Sequence, residues 1–151
     1  MTAIHHVCTW NESRATFRYR VAIPAPALAR LNVEVTTDNA PASGVVNVWH
    51  KHGKMLPWDD FSDEDVFDVT DDHFNGDKAD HYRRICQRAR VITTSSHGMV
   101  ERIADETGKP AKFVPDAIEF QRVPHEWHGG ASCMWFGHGN NFDSLASVKL
   151  D

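Results

Sequence analysis

Short apolar runs alternate with longer amphipathic stretches along most of the chain. Ile4, Val7, Cys8 and Trp10 mark a first strand over 4–10. The next ten residues, 11–20, are polar, carry Arg14, Arg18 and Arg20, and read as a long loop. Pro24 and Pro26 open a short helix, because proline suits a first helical turn, and Ala27, Leu28 and Leu31 form its predicted buried face. Val33, Val35 and Thr37 alternate with polar residues, as in a strand, and 38–44 is rich in turn formers. Val45 to Trp49 is a third strand that runs into His50-Lys51-His52-Gly53, and 54–63 is irregular.

A fourth strand begins near Asp65 and ends in charge. Val66, Phe67 and Val69 are β-prone, Asp68 sits among them, and Asp71, Asp72 and His73 follow. Over 78–90 the apolar positions Ala79, Tyr82, Ile85, Cys86 and Ala89 fall on one helical face. Val91 to Thr94 is a short strand. Ser95 and Ser96 offer an N-cap to a helix whose apolar face is Met99, Val100, Ile103, Ala104 and Thr107. Gly108 and Pro110 end that helix, and Lys112 to Val114 form a last strand stopped by Pro115.

Strands that alternate with helices predict an α/β fold with a doubly wound, mostly parallel sheet in a single domain. Such sheets bind ligands beyond the carboxyl ends of their strands. The loops after Trp10, Trp49, Asp71 and Thr94 should therefore share one functional rim.

Composition narrows the picture. The chain is 41% hydrophobic and 25% charged, which is globular rather than disordered. Sixteen Lys and Arg against 21 Asp and Glu give a net charge of −5, which argues against a nucleic-acid binder. The three cysteines lie far apart without a Cys-x-x-Cys pair, so a disulfide framework is not expected and a reducing, cytoplasmic setting is. No stretch approaches the ~20 apolar residues of a membrane span.

Several clusters carry candidate chemistry. A carboxylate or imidazole at Asp71 or His73 can position or deprotonate a hydroxyl. The alternative is that these acids cap the following turn, which is the expected role of Asp72. Asp68, inside an apolar run, is expected to be buried and hydrogen-bonded, since unpaired buried charge is costly. Arg14, Arg18 and Arg20 either grip an anionic ligand or make structural ion pairs. Ser95, Ser96, His97 and Gly98 stand at a helix N-terminus, where N–H groups meet an anion or are simply capped. His50 and His52 share a side of a strand, whereas His5 and His6 point apart. None of the ten histidines has the helical His-x-x-x-His spacing, so no metal site is predicted, and a histidine metallohydrolase is a minor alternative. Gly137, Gly139 and Asn140 form a glycine loop that lets backbone approach a phosphate, or simply a tight turn.

The run Val66-Phe67-Asp68-Val69-Thr70-Asp71-Asp72-His73-Phe74 resembles the apolar-Tyr/Phe-Asp-x-x-Asp-Asp strand of GT-B glycosyltransferases of the family 4 kind. Ala89-Arg90-Val91-Ile92-Thr93-Thr94-Ser95 is similar to that family's Ala-Asp-x-Val-x-x-x-Ser segment, and Lys112 to Ile118 to its exit from the N-terminal domain. Trp135-Phe136-Gly137 looks like the first strand of the second domain. The resemblance implies a Rossmann-like N-terminal domain over 1–118, a linker over 119–131, and the start of a C-terminal domain over 132–151.

What the resemblance implies functionally is sugar transfer from a nucleotide-sugar donor to a hydroxyl acceptor, with retention of configuration, no metal and no resident cofactor. Asp71 and His73 would be the catalytic groups. Arg18, Arg20, Asp72, Ser96 and His97 would meet substrate, and Gly137, Gly139 and Asn140 would approach the donor phosphates. The C-terminal half of the family carries most donor contacts, so the expectation is an acceptor-binding half, truncated or a fragment. The alternative is a non-catalytic glycan-binding module, or one that pairs with a copy of itself to form a homodimer.

Overall fold

A computed structural model describes residues 2–8, 14–50 and 60–117. The strands are β1 (Thr2–Val7), β2 (Val33–Asp38), β3 (Val46–His50), β4 (Val66–Asp68), β5 (Val91–Thr94) and β6 (Ala111–Phe113). The helices are α1 (Ala15–Phe17), a π-helical turn (Arg18–Ala22), α2 (Pro24–Arg30), α3 (Ala79–Arg88) and α4 (His97–Thr107). The six strands form one sheet in the order β2-β1-β3-β4-β5-β6, and every pairing is parallel. This is a Rossmann-like α/β fold. The predicted linker over 119–131 and second-domain start over 132–151, and Trp10, His52 and 54–59, lie outside the described residues.

The order explains the layering. The chain steps from β1 to β2 in one direction and from β3 through β6 in the other. Right-handed crossovers then place α2 on one face of the sheet and α3 and α4 on the opposite face.

The α3/α4 face holds the core. Strand residues two apart point the same way, so Val7, Trp49, Phe67, Val69 and Ile92 share that face and are all buried. They meet Tyr82, Ile85 and Cys86 of α3 and Ile103 of α4. The predicted apolar face of α3 is the observed one: Ala79, Tyr82, Ile85, Cys86 and Ala89 are all buried. Phe67 packs between Phe61 and Tyr82, with ring centroids 6.4 and 5.6 Å away. A polar hub near this core is Asp65, just before β4. Its carboxylate accepts hydrogen bonds from Trp49 Nε1 at 2.8 Å, Asn47 Nδ2 at 3.2 Å and the Ser62 amide at 3.1 Å. A buried carboxylate with that many donors fixes how the chain enters β4.

Helix ends follow the sequence signals. Ser96 caps α4 by accepting from the Met99 amide at 3.2 Å. Gly108 follows α4 at φ 71°, the left-handed conformation glycine adopts without a Cβ penalty.

Two expectations need correcting. Residues 14–20 are not a long loop: helix and π-turn occupy 15–22. The spacing of Phe17 and Val21 supports a helical segment that the arginines obscure, and Val21 is buried. The inner face of α2 is also different. Ala27 is exposed and Leu31 is 72% exposed, whereas Pro24 and Leu28 line a cleft beside the sheet. Because α2 borders that cleft, only a narrow side of it is covered.

Candidate functional site

The α2 face of the sheet is built from Ile4 and His6 of β1, Val48 and His50 of β3, Val66 and Asp68 of β4, and Thr93 of β5. The aliphatic members sit toward the strand starts. The polar members sit toward the carboxyl ends, at the rim where α/β sheets place their ligands. A cleft of about 290 Å³ lies over this face, walled by the π-turn, α2 and the segment after β6.

One chain of buried polar side chains runs along it. Asp68 is its centre. Arg20 donates from Nε to Asp68 Oδ2 at 2.9 Å and from Nη2 to Oδ1. Thr93 Oγ1 donates to Oδ1 at 2.6 Å, and His50 Nδ1 lies 3.0 Å from Oδ2. The next link is His50 Nε2 to His6 Nδ1 at 2.7 Å, with the two rings stacked at 5.0 Å between centroids. Each member is placed by its element. His6, His50 and Asp68 are last or next to last in their strands, and Arg20 is turned inward by the wide π-turn, closed by the Ile23 amide on the Arg18 carbonyl at 2.9 Å.

Electrostatics set the protons. Burial alone would raise the Asp68 pKa, but hydrogen bonds from His50 and Arg20 outweigh it and hold the carboxyl well below the usual carboxylate range. Burial also works against the Arg20 charge, and the Asp68 carboxylate more than restores it, so Arg20 lies above its ordinary value. Burial, then the neighbouring His50, lowers His6 from 6.5 to about 3. Asp68 is thus an acceptor only, which places a proton on His50 Nδ1. In the tautomer that donates from Nδ1 to Asp68, His50 Nε2 accepts from His6 Nδ1–H, and His6 Nε2 carries a lone pair.

The second arm of Arg20 reaches the far wall. Its Nη1 donates to the Val114 carbonyl at 2.5 Å and lies 3.6 Å from Asp116, whose own pKa is raised mainly by burial. Arg20 therefore ties the π-turn, β4 and the segment after β6 together. As predicted, Asp68 is buried and hydrogen-bonded; Arg20 makes a structural ion pair rather than holding a free anion grip.

The other sequence candidates sit elsewhere on the rim. His73 and Asp71 are 3.9 Å apart, and the His73 ring lies 4.7 Å from Tyr82 of α3. Burial, then the Asp71 charge, pushes the Tyr82 phenol up to about 12. This pair is on the α3 side, away from the residues that line the cleft. Asp72 accepts from the Phe74 amide at 2.9 Å and pairs with Arg102 at 3.4 Å, so it caps the turn. Arg18 places its guanidinium 5.8 Å from the Tyr19 ring centre. His97 is exposed and stacks on Phe113 at 4.1 Å, and Ser96 is the N-cap. Gly137, Gly139 and Asn140 lie outside the described residues.

Sequence reasoning missed the His6–His50 link. The available signal was that His6, His50 and Asp68 each end an apolar strand, so a parallel sheet brings them to one rim. Among the described residues, no group of three or more His, Cys, Asp and Glu is arranged to hold a metal ion, and no helix is long and apolar enough to cross a membrane.

Fold and site together define a Rossmann-like α/β domain with a ligand-sized cleft beside a buried imidazole–carboxylate–guanidinium chain. No protein-family model matches the chain, and no match is found among curated proteins or solved structures.

Proposed function

We propose that the chain is the acceptor-binding half of a cytoplasmic sugar transferase of the GT-B kind, moving a sugar from a nucleotide-sugar donor to a hydroxyl acceptor without a resident cofactor. The observation that carries this reading is the cleft at the carboxyl ends of β1, β3 and β4, beside an ordered set of proton-bearing groups. The all-parallel sheet supports it, because that topology gathers ligand-binding groups at one rim. One fold hosts many chemistries, so the reading rests on the site and on the resemblance of the β4 and β5 segments rather than on topology.

In this reading the acceptor occupies the cleft. Asp71 and His73 face the donor from the α3 side of the rim, and Arg18, Ser96 and His97 complete the approach to substrate. Arg20 and Asp72 act indirectly, as the brace of the cleft wall and the cap of the rim turn. Gly137, Gly139 and Asn140 would meet the donor diphosphate.

The test is a panel of nucleotide sugars, measured by calorimetric binding and by donor hydrolysis. One donor is expected to bind and turn over, with Asp71→Asn and His73→Ala lowering turnover about tenfold or more. Absence of binding by every donor, to this chain and to any longer form that contains it, rejects the transferase.

A second reading is a non-catalytic glycan-binding or self-associating module. The half-open α2 face favours it, since Val46 is 39% and Val114 42% exposed. Sedimentation would then show a concentration-dependent homodimer with no donor bound.

A further inference from the structure

The polar groups around the cleft are already committed to one another. Asp68 takes four hydrogen bonds, two from Arg20 and one each from His50 and Thr93. Arg20 spends its remaining arm on the Val114 carbonyl and Asp116. His6 has Nδ1 engaged by His50, which leaves its Nε2 as the ring nitrogen a ligand can reach. The rest of the wall is largely apolar: Ile4, Val48 and Val66 from the sheet, Pro24 and Leu28 from α2, and Val114, with Tyr19 of the π-turn beside them.

A sugar ring would bring several hydroxyls into such a space and lose their water without replacement, which is costly for each group. A compact apolar body loses nothing there. The volume, about 290 Å³, sits at the low end of small-molecule pockets. We infer that the cleft takes a compact, largely apolar molecule carrying a single hydroxyl, such as a phenol or alicyclic alcohol, and that His6 Nε2 accepts the proton of that hydroxyl. This deepens the proposed function by naming the class of acceptor, and rests on that reading only for what happens to the oxygen afterwards.

The proton balance is closed within the chain. The ligand O–H bond breaks and its electron pair stays on oxygen. A new N–H bond forms at His6 Nε2, and His6 passes its Nδ1 proton to His50 Nε2. His50 keeps its Nδ1 proton toward Asp68. The positive charge therefore comes to rest on His50, beside a carboxylate, rather than on His6, where burial opposes it. The charged groups acting on the two rings are Arg20 and Asp68, which pair with each other; Asp116 lies beyond them at 3.6 Å from Arg20, with His5 next to His6 and Tyr19 on the cleft wall.

The probe is 4-nitrophenol, whose visible absorbance reports its ionisation, added to the full chain. Saturable binding is expected, with a rise in the phenolate band and shifts in the ring nitrogens of both His6 and His50 in ¹⁵N-detected NMR. Methyl α-glucoside should neither bind nor displace the phenol. His6→Gln should abolish the rise in the phenolate band. Leu28→Trp fills the cleft from half-buried α2 without touching the hydrogen-bonded chain; it should weaken binding on the order of tenfold or more while the His6 and His50 ring signals remain those of the ligand-free protein. Displacement by the glucoside, or phenol binding unchanged in Leu28→Trp, overturns the proposal, as does a bound phenol that shifts neither ring. Phenol binding without any nucleotide-sugar binding overturns the transferase alone, whereas sugar turnover onto polar acceptors without phenol binding overturns this inference alone.

Discussion

The two faces of the sheet use the same strands differently. On the α3/α4 side, Trp49, Phe67 and Ile92 are buried against helices. On the α2 side, their neighbours Val48, Val66 and Thr93 are only half-buried and border a cleft. In β4 the contrast falls between adjacent residues: Phe67 enters the core and Asp68 anchors the polar chain. The pleat assigns alternate residues to opposite faces, so one strand can serve both stability and chemistry. Stability should then depend mostly on one face and ligand binding on the other.

The sharpest way to break that contrast is to truncate neighbours. Phe67→Ala should cost about 4 kcal/mol, because its ring fills space between Phe61 and Tyr82. Val66→Ala, one residue earlier and half-buried over the cleft, should cost about 1 kcal/mol. Urea unfolding of both variants measures the difference. Equal losses would mean that the α2 face is as tightly packed as the core.

Next in size is the ion pair itself. Asp68→Ala leaves a guanidinium that is 5% exposed without its carboxylate, at a cost of about 3 kcal/mol. Asp116, 3.6 Å from Arg20 Nη1, offsets part of that loss. Arg20→Met together with Asp68→Leu should cost less than the sum of the single variants, because the pair is removed with its desolvation penalty. Additive losses in a double-mutant cycle would show that the two groups do not act as a unit.

How much of this was legible in the sequence follows from the range of each signal. The apolar spacing of Ala79, Tyr82, Ile85, Cys86 and Ala89 is local and predicts the buried face of α3 directly. Ser96 and Gly108 mark both ends of α4, because caps are decided within four residues. The strand alternation gave the parallel sheet. The role of Arg20 stayed open between anion grip and ion pair because its partner lies 48 positions away at Asp68, and because the π-turn that turns it inward has no periodic signature. His6 and His50, 44 positions apart, meet only once β1 and β3 pair. Asp72 serves the local turn, as its place just after a strand end predicts. Local chemistry is thus readable from sequence, whereas a site assembled from strand ends needs the strand order.

Acid should expose the same asymmetry. His6 titrates near 6.5 when unfolded and about 3 when folded, so below about pH 6.5 the unfolded chain binds the extra proton and stability falls. Asp68 acts lower. Its folded pKa is depressed, so its contribution is present above the unfolded value of about 3.9 and is lost only as pH falls beyond that. His81, on the opposite face, is also lowered by burial and then by Arg84 and Lys78, and adds a loss of the same sign. The denaturation midpoint is expected to drop from about pH 7 to about pH 5. His6→Gln should remove most of that slope and His81→Gln a smaller part. An unchanged slope in His6→Gln would place the acid sensitivity outside the polar chain.

The smallest effect separates capping from binding at the rim. Ser96 Oγ accepts the Met99 amide, so Ser96→Ala should lower stability by about 1 kcal/mol. Ser96→Asp keeps an acceptor at the same position and adds a negative charge at the positive end of α4, so it should restore stability. A substrate anion at this helix end would respond in the opposite way, because the aspartate would repel it. Thermal denaturation of Ser96→Ala and Ser96→Asp, each with and without a nucleotide sugar, therefore distinguishes the two roles. If Ser96→Asp is as stable as the parent and binds the donor equally well, Ser96 is a cap alone. If it is stable but loses donor binding, the α4 N-terminus belongs to the site.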